Sequence, residues 1–402
     1  MVGLACVTLT TEDQKTHGMT ESSHTSELPY DIADEYRLEP ESELQPPAWQ
    51  DGSLRVGIHT SIAGDLANAL ESARKLGCNA LQIFSASPRM WPRPGARIPE
   101  ADAARFRARR EALGLGPLVI HANYLINLAT PDPVQQTRAI QAFHDEIVRA
   151  LALGADFLVL HPGSARGTTL PEAITRIGQS LRLAMRGVRP GNLRILIENT
   201  AGMGATVGSR FAELRAILDT VPELPLGVCM DTAHTLAAGY EIRTPDGLER
   251  TLDEIEQTVG LDHVFVLHVN DSKTPLGSRV DRHQHIGRGA IGRAAFGRIL
   301  LHPRLTRAAP QGFLSRALIL ETPIDKPGDD RRNVQAVWEV VGIGPELAPR
   351  AEAGFSMLRR AGAARKKSAR VTAKSSAKSS RPKRRRTAAR RTGKLKRKRT
   401  QR

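Results

Sequence analysis

From about Leu54 onward, short apolar runs alternate with amphipathic stretches, and the runs have the length and β-branched content of buried strands. Eight occur in order: RVGIHTS from Arg55, ALQIFS from Ala80, PLVIHAN from Pro117, DFLVLHPG from Asp156, LRILIENT from Leu193, LGVCMDTAH from Leu226, VFVLHVND from Val264 and LILET from Leu318. Between them, DLANALESARKLG, TRAIQAFHDEIVRALALG and GLERTLDEIEQTVG place apolar residues every three or four positions, the period of a helix with one buried face. Strands alternating with helices predict an α/β fold with a parallel sheet under helices, and eight repeats predict closure into a (β/α)8 TIM barrel. No GxGxxG follows the first strand, which argues against an open dinucleotide-binding sheet.

Composition adds two extensions to this picture. The chain has 402 residues, and a barrel needs about 250. Residues 1–53 hold 11 acids against only Lys15 and Arg37, with several prolines and no apolar period. We expect an acidic, disordered leader there. Residues 359–402 carry 21 Lys and Arg and no acid, so we expect a flexible polycation. With the chain at +16, residues 54–358 retain +4, and the high pI belongs to the tail. The predicted layout is therefore a leader over 1–53, a barrel domain over 54–358 and a basic tail over 359–402.

Cys6, Cys78 and Cys229 are odd in number and share no CxxC spacing, which points away from a disulfide framework and toward a reducing compartment. The opening apolar run lacks a basic n-region, so we expect no signal peptide, and no stretch reaches the roughly 20 apolar residues of a membrane span. The expected location is cytoplasmic.

The third to eighth strands each end in a metal-ligand residue type: His121, His161, Glu198, Asp231 with His234, His268, and Glu321. Asp281 and His283 follow the seventh strand in GSRVDRH. One histidine at a strand end is more often a satisfied structural residue than a ligand, but six consecutive strands ending this way form a set. Five imidazoles and four carboxylates provide nine ligands, enough for three ions with open positions for water or substrate. Three divalent cations carry six positive charges; four carboxylates and one bridging hydroxide offset five, leaving one unit to attract a phosphodiester. Such ions lower the pKa of bound water, align its attack and stabilise the departing oxygen. His59 ends the first strand, and we read it as a supporting or substrate-contacting residue, with a structural role as the alternative; His144, His263 and His302 read as structural, and His285 as either.

These residues lie in segments that resemble the endonuclease IV type of apurinic/apyrimidinic endonuclease from about Arg55 to Gly342: IHTSIAG, IFSASPRMW, VIHANYLINLA, LVLHPGS, LIENTAGMG, VCMDTAHTLAAGY, LHVNDSK with GSRVDRHQHIG, and LILET. The resemblance implies a xylose-isomerase-like TIM barrel with three zinc ions, manganese being the alternative for the third. Carried over by position, His121 and His161 would hold one zinc and Glu198 would bridge it to a second. Asp231, His268 and Glu321 would complete the second, and His234, Asp281 and His283 would hold the third. Glu198 and Glu321 are the implied catalytic carboxylates. The implied reaction is attack by a metal-bridging hydroxide on the phosphodiester 5′ to an abasic sugar in double-stranded DNA, leaving a 3′-hydroxyl and a 5′-deoxyribose phosphate. Arg89 and Tyr124 are the implied groups inserted at the lesion. The chain departs from the pattern in HIGRGAIG, where Arg288 replaces an acid. A monomer, associated with the nucleoid and touching DNA phosphates through its tail, completes the expectation; the tail's alternatives are another polyanion or no specific contact.

The main alternative is a metal-dependent sugar isomerase or epimerase on the same barrel, which needs fewer ligands, a closed sugar-sized pocket and a proton-transfer base. A catalytically silent DNA-binding protein is the second. Asp281 and His283, with Arg89 and Tyr124, argue against the first, and a complete ligand set argues against the second.

Overall fold

The computed structural model describes residues 54–88, 90–306 and 316–342. The leader, the tail and Arg89 lie outside the described residues.

Eight parallel strands make one sheet: β1 (Arg55–Ile58), β2 (Leu81–Phe84), β3 (Leu118–His121), β4 (Phe157–Leu160), β5 (Arg194–Glu198), β6 (Leu226–Asp231), β7 (Val264–His268) and, after a short antiparallel pair β8 (Asp271–Ser272) and β9 (His283–Gln284), β10 (Ala317–Leu320). The order is β1-β10-β7-β6-β5-β4-β3-β2. The two ends meet through a parallel bridge between His59 and Gln82 and the Thr60 N–H to Gln82 O bond of 2.8 Å. The expected (β/α)8 TIM barrel is what forms. Gly57 permits that closure, because a Cβ there would lie 2.6 Å from the main-chain carbon of Ala80.

The helices between the strands are α1 (Leu66–Lys75), α2 (Glu100–Ala112), α3 (Pro133–Ala152), α4 (Leu170–Met185), α5 (Phe211–Thr220), α6 (Thr232–Ala237), α7 (Pro245–Thr258), α8 (Arg293–Leu300), α9 (Pro303–Thr306) and α10 (Asp329–Val340). The start of α3 shows how its sequence sets the boundary. Asp132 accepts the N–H groups of Val134 and Gln135 at 2.9 and 3.0 Å, and Pro133 occupies a first-turn position whose N–H would have no helical partner. Further along α3, buried Asp145 takes Gly95 N–H and Arg97, both at 2.8 Å, while Arg149 donates to Ser85 at 2.8 Å. These bonds pin the loop after β2 to the helix.

Period-two alternation divides each strand between two cores. Outward residues pack against the helices in a large cluster. Inward residues Ala80, Val119, Phe157, Val159, Leu196, Cys229, Val266, Ala317 and Ile319 belong to a separate, smaller cluster that fills the barrel. Cys78 and Cys229 are both buried free thiols, and burial pushes the Cys229 thiol up to about 12.

Candidate metal centre

The next inward position on each strand is polar. Two residues beyond Gly57, Ala80, Val119, Val159, Leu196, Cys229, Val266 and Ile319 stand His59, Gln82, His121, His161, Glu198, Asp231, His268 and Glu321. They therefore point to the barrel axis at the carboxyl ends of the strands, above the apolar layer. His234 arrives by another route: β6 runs directly into α6, Asp231 caps that helix by accepting His234 N–H at 2.7 Å, and the i+3 spacing returns the imidazole to the same end. Asp281 and His283 come back through the excursion between β8 and β9, which is fastened to α6 by Gly277 N–H to Leu236 O at 3.0 Å and Arg279 N–H to Ala237 O at 2.9 Å. The helix carrying His234 and the loop carrying its two neighbours are thus tied together.

Among the described residues, eight of the nine sequence-predicted ligand residues, all but Asp281, meet in three overlapping groups able to hold a metal ion. His121, His161 and Glu198 form one; Glu198, Asp231, His268 and Glu321 form the second; Asp231, His234 and His283 form the third. Glu198, fully buried, joins the first two: Oε2 lies 3.2 Å from His121 Nε2 and 3.3 Å from His161 Nε2, and Oε1 lies 3.0 Å from His268 Nδ1. Asp281 Oδ1 stands 3.2 Å from His234 Nε2 and 3.4 Å from His283 Nε2, so it closes the third group from the solvent side.

Hydrogen bonding fixes which nitrogen three of the rings present. His121 Nδ1 faces Ala122 O at 2.8 Å, His234 Nδ1 faces Asn199 O at 2.9 Å, and His283 Nδ1 faces Glu321 O at 3.2 Å. A carbonyl only accepts, so each Nδ1 carries a proton and each neutral ring turns an Nε2 lone pair toward a carboxylate. A lone pair set against a carboxylate oxygen at about 3 Å is repulsive unless a cation lies between them. Protons serve in the metal-free protein. Burial disfavours charge on His268 and His234, but Cys229, Glu321 and Glu198 around the first and Asp231, Asp281 and Glu198 around the second outweigh it and raise both well above the usual histidine value. Burial pushes Glu198 up, and the imidazoles of His161 and His268 pull it well below the carboxylate range; Asp281, partly buried beside His234, falls to about 2. Among the described residues, His234 Nε2 and His283 Nε2 are buried without a hydrogen-bond partner. Imidazole and carboxylate donors so arranged fit divalent transition metals, and main-chain carbonyls behind the rings are the usual support for such ligands.

Several residues hold this arrangement that sequence reading did not single out. Asn270 Nδ2 donates to Asp231 Oδ2 at 2.6 Å while its Oδ1 accepts Glu321 N–H at 2.8 Å. Asn199 Oδ1 accepts Asp231 N–H at 2.7 Å. Gln82 reaches both His268 and Glu321. The signal available in the sequence was an amide one or two residues after a ligand, in IENT and HVND, and a glutamine inside the apolar run LQIF. Asp271 secures the loop with Arg288: its carboxylate accepts N–H groups from Ser272 (2.8 Å), Gly289 (2.9 Å), Ile291 (2.9 Å) and Gly292 (3.2 Å). A Cβ on Gly289 would lie 2.5 Å from that carboxylate. The loop thus has its acid in Asp271, and Arg288 is exposed.

His59 lies at the edge of the cluster, its Nδ1 3.0 Å from Gln82 Nε2 and 3.7 Å from Glu321 Oε1. His144 donates to Ala184 O, His302 pairs with Glu249, His285 pairs with Asp325, and His263 lies in the turn before β7, all outside the three groups. Above the cluster is a cavity of about 430 Å³ bordered by His121, Tyr124, His161, Arg166, Met203 and Asp281. Tyr124 is 61 % exposed on its rim, with its ring against Phe84 and His121.

Known proteins share this architecture. Residues 70–333 match the model of the xylose isomerase-like TIM barrel family. A protein of Solibacter usitatus named "Probable endonuclease 4" is 50 % identical over 293 residues, 72 % of this chain and 97 % of its own. One of the same name from Methanosphaerula palustris is 40 % identical over 288 residues, 71 % and 97 % of the two chains. The crystal structure of endonuclease IV from Thermus thermophilus superposes with a TM-score of 0.61 at 42 % identity, covering 72 % of this chain and 99 % of that one. Within the xylose isomerase-like TIM barrels, the chain belongs to the endonuclease IV family.

Proposed function

We propose that this chain is a DNA repair endonuclease that hydrolyses the phosphodiester 5′ to abasic sites in duplex DNA, leaving 3′-hydroxyl and 5′-deoxyribose phosphate ends. The observation that carries the reading is the convergence of five imidazoles and three carboxylates in three groups on one end of the barrel, with Glu198 shared by two groups and Asp281 beside the third. His121, His161 and Glu198 would hold one zinc ion, and Glu198, Asp231, His268 and Glu321 a second. His234, Asp281 and His283 would hold the third, with manganese as its alternative. When bound, such ions activate water, align it and stabilise the leaving oxygen.

The chain's own residues supply the rest. Glu198 and Glu321 both face His268 Nδ1, at 3.0 and 3.2 Å, and so draw the second group together, while Glu198 also belongs to the first. Arg166, exposed beside the cavity and held at φ 37°, offers a cation to the phosphate backbone. Tyr124 is a preformed aromatic wedge. An abasic site has already lost stacking on one strand, so it opens at less cost than an intact pair, and an exposed ring at the cavity rim can fill the gap. Arg89, which lies outside the described residues, is proposed as the second inserted group. The basic tail would add nonspecific, salt-dependent attraction to phosphates.

The Asp281 and His283 pair disfavours the sugar isomerase alternative, since it adds a third ligand group bordering the cavity. The deciding experiment incubates metal-replete protein with a duplex containing one tetrahydrofuran abasic analogue. A nick with a 3′-hydroxyl end, abolished by chelator, is the expected product; an intact duplex refutes the proposal.

A further inference from the structure

Each clustered imidazole whose far nitrogen is held has an acceptor behind it. For His121, His234 and His283 that acceptor is a main-chain carbonyl, which no substitution removes. His268 is different, because its Nε2 lies 2.9 Å from Oε1 of Gln82, a fully buried side chain on β2 at the far side of the barrel.

The amide of Gln82 cannot be turned over. Its Nε2 lies 2.5 Å from Glu321 Oε1, and an ionised carboxylate only accepts, so the NH₂ end faces Glu321 and the oxygen faces His268. The second N–H points to His59 Nδ1 at 3.0 Å. All three contacts agree on one orientation. The oxygen in turn requires a proton on His268 Nε2, which leaves Nδ1 as the nitrogen facing Glu198 Oε1 at 3.0 Å and Glu321 Oε2 at 3.2 Å.

We infer that Gln82 is a positioning residue for the second ligand group. Its amide oxygen sets the tautomer and ring orientation of His268, and its amide N–H groups hold Glu321 by Oε1 so that Oε2 is turned to the same point. The inference rests on reading the cluster as a metal centre, and it concerns only the group of Glu198, Asp231, His268 and Glu321. Among the described residues the Gln82 side chain makes no hydrogen bond to His121, His161, His234 or His283, so the imidazoles of the other two groups are not its targets.

The test uses the full chain loaded with zinc and labelled with nitrogen-15 histidine, beside Gln82→Met and Gln82→Glu. Zinc affinity is measured by chelator competition, the His268 Nε2–H by its slowly exchanging proton resonance, and turnover on the tetrahydrofuran duplex. Gln82→Met should lose the resonance and weaken one bound ion by about 10–100-fold, the usual effect of removing a ligand's hydrogen-bond partner. Its kcat should fall while KM stays near that of the parent. Gln82→Glu keeps an acceptor for His268 and loses the donors to Glu321, so it should retain the resonance and still weaken the same ion. If the methionine variant does not fold, the glutamate variant decides alone. Zinc affinities within about twofold of the parent overturn the role of Gln82; a parent that binds no zinc overturns the metal-centre reading instead.

Discussion

Val119, Val159, Leu196, Cys229, Val266 and Ile319 fill the inward positions of six strands, and two residues later His121, His161, Glu198, Asp231, His268 and Glu321 fill them again. The backbone presents both layers identically. The lower layer is stabilised by removing apolar surface from water, a term that is non-directional and tolerant of shape-conserving change. The upper layer places charges and lone pairs where burial penalises them, and it is held by directed hydrogen bonds and a balance of opposite charges. One layer secures the fold while the other draws on it.

The sharpest way to break that contrast is Glu198→Gln. Removing the shared carboxylate charge should cut single-turnover nicking by about 10⁴-fold, about 5 kcal/mol of transition-state stabilisation, while the metal-free fold melts within a few degrees of the parent. Substantial residual nicking would contradict the assignment of Glu198 as the shared group. One layer down, Phe157→Ala should lower unfolding free energy by about 3–5 kcal/mol in urea titrations, with activity per folded molecule nearly unchanged. A large loss of turnover without loss of stability would dissolve the division between layers.

Chelation probes the upper layer by itself. Free metal at about 100 times its Kd should stabilise the fold by about 2.7 kcal/mol over the stripped protein, read as a shift in Tm. The pH dependence follows from the histidines. In the stripped protein the surrounding groups hold His234 and His268 well above the usual histidine value. Protons compete with metal below those raised values, so affinity should increase as pH rises through them, with protons released on binding. Titration calorimetry in buffers of different ionisation enthalpy measures that release, and metal binding without it would contradict the proposed ligand state. The smallest expected effect belongs to the rim: Tyr124→Ala should raise KM for abasic duplex about tenfold, about 1.4 kcal/mol, and leave Tm unchanged because the ring is mostly exposed.

The barrel was legible because period two and period 3.6 alternate along the chain, and the ligand residues were legible because their types recur at strand ends. Their grouping was less so. Asp231 contributes to two groups, which spacing along the sequence does not reveal, since His283 approaches it from a separate loop at 3.6 Å. The supporting amides were missed for a general reason: an asparagine or glutamine carries no mark of which neighbour it will orient. Gln82 acquires meaning only when closure brings β2 across from β7 and β10. Arg89, the leader and the tail lie outside the described residues.

Asp271 has one further consequence. It holds the 289–292 segment entirely through main-chain N–H groups, a form of anchoring that does not register which side chains the segment bears, glycine at 289 excepted. Position 288 is thereby left free to drift in sequence without loss of loop shape. The same freedom makes it a handle: a cysteine placed there would carry a fluorophore near the rim of the barrel without disturbing the scaffold beneath it.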